Sequence, residues 1–189
     1  EGRLQRRRGI GTTVSPPRMG VPVARPHNSW PGSPLDVWRT IDCTEAPAPK
    51  TVAATLGVAA DEAVYTLRRV RTMNGQTIGT ENLYIPRGIL PGLPAFSSGG
   101  RAHTVLRELQ RVRLDREVRT VELGVARTED AKQLERLPGS PVLVVTTRYI
   151  SEERTAALAV STYRPDTCKL TFGETGEVEV THHEERQAS

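Results

Sequence analysis

The stretch AVYTLRRVRTMNGQTIGTENLYIP, residues 63–86, carries the strongest structural signal in the chain. Two runs rich in β-branched and aromatic residues flank Asn74-Gly75, and this dipeptide between two such runs is typical of a tight β-hairpin turn. Side chains alternate between the two faces of a strand, so Arg69 and Arg71 share one face. The stretch therefore predicts an antiparallel hairpin with two arginines on the same side.

The position of Glu81 relative to these arginines depends on the turn. A two-residue turn at Asn74-Gly75 places Glu81 on the opposite face, beside Arg68. A three-residue loop, with Gly75 left-handed in a bulge, shifts the pairing by one and places Glu81 opposite Leu67, on the face of the two arginines. One residue of register decides between the two arrangements, and both remain open.

Outward from the hairpin, the periodicity predicts further helices and strands. Residues 50–58 read as a short helix that Gly57 ends, and residues 101–112 place apolar side chains at helical spacing. Thr128 is expected to cap a short helix with Glu129 and Asp130 in its first turn. Three more strands are predicted at residues 118–126, 141–150 and 157–164. Strands outnumber helices and hairpins dominate, which predicts the α+β class with a mostly antiparallel sheet.

The composition narrows the class of protein. The chain has 189 residues, 37% hydrophobic and 25% charged, as is typical of globular proteins. No apolar run approaches the roughly 18 residues of a membrane helix, so we expect no membrane partner and a cytoplasmic location. Two cysteines, Cys43 and Cys168, are too few for a zinc site, and we expect free thiols, no metal and no cofactor.

The positive charge is concentrated at the N-terminus. Residues 1–25 contain six arginines and one acidic residue, a net charge of +5, although the whole chain carries only +4. An anionic partner would therefore meet this segment. Within it, residues 3–14 read as a short hairpin with a basic, glycine-containing turn. Two strands alone are marginally stable, so we expect the chain to begin inside a module whose front lies before residue 1.

The basic stretch RRRGIGTTV, residues 6–14, has three readings. It can be a solvated basic tail, since runs of like charge usually are. A phosphate-cradling loop is disfavoured, because the stretch lacks the Lys-Ser/Thr of a P-loop and no long helix follows. In the third reading, arginines on a narrow hairpin reach the phosphates and minor groove of a duplex.

Three motifs in order decide among these readings. EGRLQRRRGIGTTV, LRRVRTMNGQTIGTENLYIP and TYRPD follow one another at residues 1–14, 67–86 and 162–166. Together they resemble the HutC-type branch of the GntR-family bacterial transcription regulators. The first is similar to the wing of that family's winged helix-turn-helix, and the others are similar to its effector-sensing UTRA domain. The resemblance implies a chorismate-lyase-like fold preceded by a remnant β-wing.

The resemblance also implies a domain organisation and partners. Residues 1–14 correspond to the wing, 15–34 to a linker, 35–175 to the effector-binding domain and 176–189 to a polar tail. The implied protein is a homodimeric repressor without enzymatic activity, whose operator DNA binding changes when a small, anionic effector binds. The DNA-contacting residues carried over from the wing are Arg6, Arg7, Arg8, Gly9, Gly11 and Thr12.

The family's effector-contacting positions correspond to residues on the predicted sheet. These are Arg69, Arg71, Glu81 and Tyr163, to which His103 is added as an anion contact at the start of the helix at residues 101–112. Guanidinium groups beside a carboxylate suit a small ligand with an acidic group and a hydroxyl or amine. The alternative is an exposed hairpin with ordinary surface arginines.

Two departures from the family pattern bear on the effector. Ala157 and Ala159 stand where phosphosugar-sensing members carry Glu and Ser, and Arg101, Ala102 and His103 replace the Ser-Leu-Tyr that often opens the middle helix. These changes disfavour an amino-sugar phosphate.

Two other functions remain as alternatives. One is a chorismate-lyase-like enzyme with Glu81 as the acid, although the sequence shows no Ser-His-Asp or Cys-His constellation. The other is a nucleic-acid-binding module that responds to no effector.

Overall fold

The structure, a computed structural model, describes residues 4–7, 11–14, 30–33, 36–91, 93, 101–166, 171–172 and 178–179. The chain divides into two compact units, one comprising residues 1–24 and 165–189 and the other residues 25–164. No helix in these described ranges is long and apolar enough to cross a membrane.

The described elements comprise strands, α-helices and one short 3-10 helix. The strands are β1 (Leu4–Arg7), β2 (Gly11–Val14), β3 (Arg39–Pro47), β4 (Ala63–Met73), β5 (Gln76–Pro86), β6 (Arg116–Val125), β7 (Pro141–Ser151), β8 (Arg154–Tyr163), β9 (Thr171–Phe172) and β10 (Val178–Glu179). The α-helices are α1 (Lys50–Leu56), α2 (Arg101–Leu109) and α3 (Thr128–Gln133), and Arg87–Ile89 form the 3-10 helix.

The described residues of the smaller unit form two short hairpins. In the first, β1 and β2 run antiparallel, with Leu4 opposite Val14 and Arg7 opposite Gly11. This is the hairpin predicted near the N-terminus, and it forms a two-stranded sheet of its own. In the second, β9 and β10 pair antiparallel.

The larger unit is built on one six-stranded antiparallel sheet in the order β3-β4-β5-β8-β7-β6. The predicted α+β class with a mostly antiparallel sheet is therefore confirmed. Strand β3 was not predicted. Its sequence, RTIDCTEAP, mixes polar and apolar residues and has no continuous apolar face. This composition suits a strand at the edge of the sheet, where only one side is paired.

The central hairpin resolves the register question in a third way. Asn74 and Gly75 form a two-residue turn, with φ of 50° and 77°, and Met73 pairs with Gln76. An irregularity just beyond the turn inserts an extra residue in β5, so that Arg71 faces Gly79 and Arg69 faces Glu81. The three-residue loop is therefore wrong, as is a uniform two-residue register. The convergence of Glu81 with the arginines nevertheless occurs.

One face of the sheet, here called the α2 face, carries the side chains of Tyr65, Leu67 and Arg69. Helix α2 covers it with Val105 and Leu109, which are fully buried. Burying each of these two side chains stabilises the fold by about 1.5–3 kcal/mol. The helical spacing predicted for residues 101–112 is thereby confirmed.

The opposite face packs against α1 and α3. Val52 and Leu56 of α1 share a buried hydrophobic cluster with Val64 of β4, and Leu134 next to α3 shares another with Val142 of β7. Gly57 ends α1 in the left-handed conformation, as predicted. The predicted cap of α3 is wrong, because Thr128 is the first helical residue and no side chain caps this helix. The acidic first turn is present.

Candidate functional site

Three neighbouring strands place a guanidinium, a carboxylate and a hydroxyl side by side. Arg69 of β4 pairs with Glu81 of β5, and Glu81 pairs with Ser161 of β8. Paired residues of an antiparallel sheet point to the same face, so all three side chains lie on the α2 face. Nη1 of Arg69 lies 3.1 Å from Oε1 of Glu81, and the Ser161 hydroxyl donates to Oε2 at 2.8 Å.

Arg69 is buried deeply, with 1% of its surface exposed. A charge in such a position is stable only with partners of opposite charge. Besides Glu81, its guanidinium donates through Nη2 to the carboxylate of Asp36, which precedes β3. Its Cζ also lies 6.0 Å from the ring centroid of Trp38, within cation–π range.

Several polar atoms at this cluster lack hydrogen bonds. Within the described part of the chain, Nε and Nη1 of Arg69 and Oε1 of Glu81 are buried without a hydrogen-bond partner. The 3.1 Å approach of Nη1 and Oε1 is thus an ion pair without hydrogen-bond geometry. Leaving a buried charged group short of hydrogen bonds costs free energy, and such atoms mark where a polar ligand can bind.

Aromatic rings extend the cluster along the same face. Tyr163 pairs with Gly79, and its ring packs at a tilt on Trp38 with centroids 5.8 Å apart. Arg71 pairs with Gly79 from the other side and is buried, with 7% exposed. The site is therefore a layer of two arginines, two carboxylates, one hydroxyl and two aromatic rings.

The structure unites four of the five predicted effector residues. Arg69, Arg71, Glu81 and Tyr163 lie on one face of adjacent strands. His103 lies on α2 and is exposed, whereas the other four are buried. The surface alternative for the hairpin arginines is wrong for Arg69 and Arg71, because both are buried.

Three further residues of the site were not predicted. Ser161 lies two residues before Tyr163 on the same strand, so alternation could have identified it. Asp36 and Trp38 precede β3 and reach the cluster only through the folding of the chain. No local pattern in the sequence points to Asp36.

The wall formed by β8 is apolar below Ser161. Ala157 and Ala159 are fully buried among the core residues of the α2 face. Arg101, at the start of α2, is held by Glu45 of β3, with Nη2 and Oε2 3.2 Å apart. At the two places where the sequence departs from the family pattern, the alanines of β8 form an apolar wall and Arg101 forms an ion pair with Glu45.

The other face of the same strands carries a cleft of about 420 Å³. Its lining includes Arg68, Asn82, Arg127 and Asp130. The cleft also borders Arg69 and Glu81, but their charged groups engage each other on the α2 face. In this lining Arg68 pairs with Glu129, and the Thr80 hydroxyl donates to Asp130.

The described residues contain no reactive thiol or metal cluster. Burial raises the pKa of Cys43 to about 11, and the negative charges of Asp42 and Glu45 act in the same direction. At neutral pH this cysteine is therefore a protonated thiol and a poor nucleophile. No group of three metal-binding side chains occurs in the same described ranges.

Four of the residues carried over for DNA contact lie in the N-terminal hairpin. Arg6 pairs with Thr12, and Arg7 pairs with Gly11. Arg8 and Gly9 lie outside the described residues.

Comparison with known proteins places the larger unit in a family. Residues 37–169 match the UTRA domain. No curated protein matches the chain significantly.

Solved structures share the fold of the larger unit. The effector domain of PhnF from Mycobacterium smegmatis is 22% identical, with 71% of this chain and 83% of that chain covered and a TM-score of 0.57. A GntR-family transcriptional regulator from Enterococcus faecalis V583 is 15% identical. The match covers 72% of this chain and 99% of that chain, with a TM-score of 0.59. A candidate transcriptional regulator from Streptomyces coelicolor is 25% identical. The match covers 77% of this chain and 91% of that chain, with a TM-score of 0.58.

Proposed function

The chain belongs to the UTRA domain family, the effector-binding domain of GntR-family transcriptional regulators, and we propose that a small anionic effector binds on its α2 face and changes operator binding. Arg69, Arg71, Glu81 and Tyr163 are the proposed contacts. The matched relatives are regulator domains and not enzymes, so the chorismate-lyase alternative has no support from them.

One observation supports the site above the others. Arg69 is almost completely buried, yet its Nε and Nη1 have no hydrogen-bond partner among the described residues. A guanidinium presents five donors in a fixed plane, and a carboxylate or phosphate accepts from two of them at once. An anionic group that accepts from Nε of Arg69 satisfies a donor that the described protein groups leave without a hydrogen bond.

The neighbouring groups define the rest of the effector. Oε1 of Glu81 is paired with Nη1 of Arg69 but accepts no hydrogen bond, which suits a hydroxyl or an ammonium group of the ligand. The ring of Tyr163 offers an apolar surface, and Ala157 and Ala159 add no polar group to the wall. The proposed effector is therefore a small anion that carries one hydroxyl or ammonium group and few other polar groups.

A thermal-shift screen of small carboxylates and phosphates tests the site. A metabolite that raises the melting temperature of the wild-type chain is expected to lose that effect with Arg69→Ala or Arg71→Ala, because stabilisation by a ligand depends on its affinity for the folded state. His103→Ala, which alters an exposed side chain, serves as the matched control and keeps most of the effect. Equal shifts in wild type and Arg69→Ala would contradict the site.

The proposed DNA contact is the hairpin of β1 and β2. Its support is the concentration of arginine in residues 1–25 and the resemblance of RRRGIGTTV to a wing. Replacing Arg6, Arg7 and Arg8 by alanine is expected to weaken duplex binding and reduce its salt dependence, as fluorescence anisotropy measures. Unchanged binding would indicate that the hairpin is a solvated terminus.

The proposed regulator is a homodimer. Strand β6 is an edge of the large sheet, and it exposes Leu123 and Val125, 82% and 67% accessible. Leu137 nearby in sequence is also exposed. Apolar side chains on an edge strand favour association with a second copy.

A further inference from the structure

Residues 30–33 and 36–38, here called the strap, begin against Val112 and Tyr149 and end against Arg69 and Tyr163 of the proposed effector site. The strap is anchored at its start, where Trp30 is buried and its Nε1 donates to the carbonyl oxygen of Val112 at 2.7 Å. The Trp30 ring also stacks on Tyr149, with centroids 5.5 Å apart. The segment is therefore held on the domain independently of its other end.

The other end of the strap carries a carboxylate into the cluster. The side chain of Asp36 is only 4% exposed, and its Oδ2 accepts from Nη2 of Arg69 and from the backbone N–H of Gly32. Its Oδ1 accepts from the backbone N–H of Trp38 at 3.2 Å. A guanidinium and two backbone N–H groups are donors that commonly bind free carboxylates and phosphates.

The charges of the cluster disfavour the binding of another anion while Asp36 is in place. Asp36 and Glu81 carry two negative charges, and Arg69 and Arg71 carry two positive charges, so these four side chains together are neutral. A second anion bound beside Asp36 in this buried place would meet like charge at close range, where it is poorly screened. An anionic effector at Arg69 is therefore accommodated best if Asp36 moves away.

We propose that Asp36 is an internal counter-ion of Arg69, which an anionic effector displaces, so that the strap is released at its C-terminal end when the effector binds. The inference rests on the proposed effector site. Trp30 keeps the start of the strap anchored, whereas Trp38 leaves its packing on Tyr163 and Arg69. The strap lies between the N-terminal hairpin and β3 in the sequence, so its release couples ligand binding to the part of the chain proposed to contact DNA.

Calorimetric titration of the whole chain with inorganic phosphate tests the competition. Asp36→Asn removes the charge and keeps the size of the side chain. We expect this variant to bind phosphate about tenfold more tightly than wild type, because a charge-assisted hydrogen bond no longer competes for Arg69. Asp42→Asn on β3 makes the same change in net charge outside the cluster, and its phosphate affinity is expected to equal that of wild type.

The double variant with Arg69→Ala separates the two proposals. If Asp36→Asn gains affinity and Arg69→Ala removes the gain, both the site and the counter-ion role stand. If Asp36→Asn gains nothing while Arg69→Ala still weakens binding, Asp36 is only a wall of the pocket and the inference fails alone. If Arg69→Ala leaves phosphate binding intact, the effector site itself is wrong.

Fluorine NMR of the wild-type chain checks the movement without relying on a variant fold. The chain has two tryptophans, so 5-fluorotryptophan gives two signals, and Trp38→Phe assigns them. Saturating phosphate is expected to shift the Trp38 signal and leave that of Trp30 in place. A Trp38 signal that stays unchanged at saturation would show that the strap does not open.

Discussion

At the residue scale, a glycine makes the aromatic part of the site possible. A Cβ at Gly79 would lie 2.9 Å from Cδ1 of Tyr163 and 3.1 Å from the Trp38 ring. Real Cβ atoms do not approach other carbons so closely, so a side chain at this position requires the rings to move. The absence of a side chain lets Tyr163 and Trp38 pack directly on the sheet.

Gly79→Ala is therefore expected to lower the free energy of unfolding by about 1–3 kcal/mol, the usual cost of overpacking a core. Urea denaturation followed by tryptophan fluorescence measures it. Gly88→Ala is the matched control, because a Cβ there meets no atom within 4 Å. Equal stabilities of the two variants would contradict the close packing at Gly79.

The thiol of Cys43 gives a pH-dependent prediction at the same scale. Its pKa is raised from 9.0 to about 11 in the fold, mainly by burial. The folded state thus favours the protonated thiol, and the contribution of this group to stability is complete below pH 9 and is lost as pH rises from 9 to 11. Between pH 9 and 11 the thiol of Cys43 is ionised in the unfolded chain but still protonated in the folded chain.

Disulfide-exchange labelling follows this difference directly. In a Cys168→Ser protein, Cys43 is expected to react with an aromatic disulfide at pH 8 about tenfold more slowly than in the urea-unfolded chain, since fewer thiolates outweigh their higher nucleophilicity. Cys168 itself lies outside the described residues. Equal rates in the folded and unfolded chain would show that Cys43 is not protected.

At the element scale, register depends on irregularities as well as turns. The β4–β5 hairpin has a two-residue turn at Asn74-Gly75, one of the two turns that the sequence left open, and the extra residue beyond it brings Arg69 opposite Glu81. A regular register would have placed the carboxylate on the other face. The chemistry of the site thus depends on one residue in β5 that is left unpaired.

The β7–β8 hairpin has a two-residue turn of unfavourable composition. Glu152 and Glu153 adopt φ of 47° and 61°, a left-handed conformation that favours Asn and Gly. The backbone N–H of Glu152 donates to Asp115 at 2.7 Å, a bond that any non-proline residue retains. The turn therefore carries strain that its side chains do not relieve.

Replacing Glu152-Glu153 by Asn-Gly is expected to raise the free energy of unfolding by about 1 kcal/mol, because both residues then tolerate positive φ. Thermal or urea denaturation measures the gain. The Ala-Ala variant removes the same two charges without relieving the strain, and no gain is expected from it. A comparable gain in both variants would assign the effect to charge.

At the scale of the whole molecule, the edges of the large sheet differ. Strand β3 forms one edge and leads from the strap, whereas β6 forms the other and exposes Leu123 and Val125. A regulator that binds a symmetric operator needs two copies at a defined spacing. The exposed residues of β6 are the proposed place where the copies meet.

Leu123→Lys with Val125→Lys is accordingly expected to shift a dimer towards monomer, because two charges on each copy would be buried against each other. Light scattering after gel filtration measures the mass. Ile41→Lys with Val37→Lys, exposed apolar residues at the other edge, is the control and should leave the mass unchanged. A dimer that survives the β6 substitutions would place the interface elsewhere.

The sequence by itself determined the local elements and the class of fold. Periodicity and the Asn74-Gly75 turn predicted the central hairpin, α2 and the strands β6, β7 and β8, because these signals depend on neighbours in the chain. The resemblance added the family and four residues of the proposed site.

Only the tertiary structure decided how the site is completed. Asp36 lies 33 residues before Arg69, and the carboxylate reaches the guanidinium only because β3 pairs with β4 and Trp30 anchors the strap. The unpaired residue of β5 is likewise set by packing on both faces, since a one-residue shift of register would move every following side chain to the opposite face. Contacts between distant segments leave no periodic trace in the sequence, and this is why Asp36 and Trp38 could not be assigned to the proposed site from it.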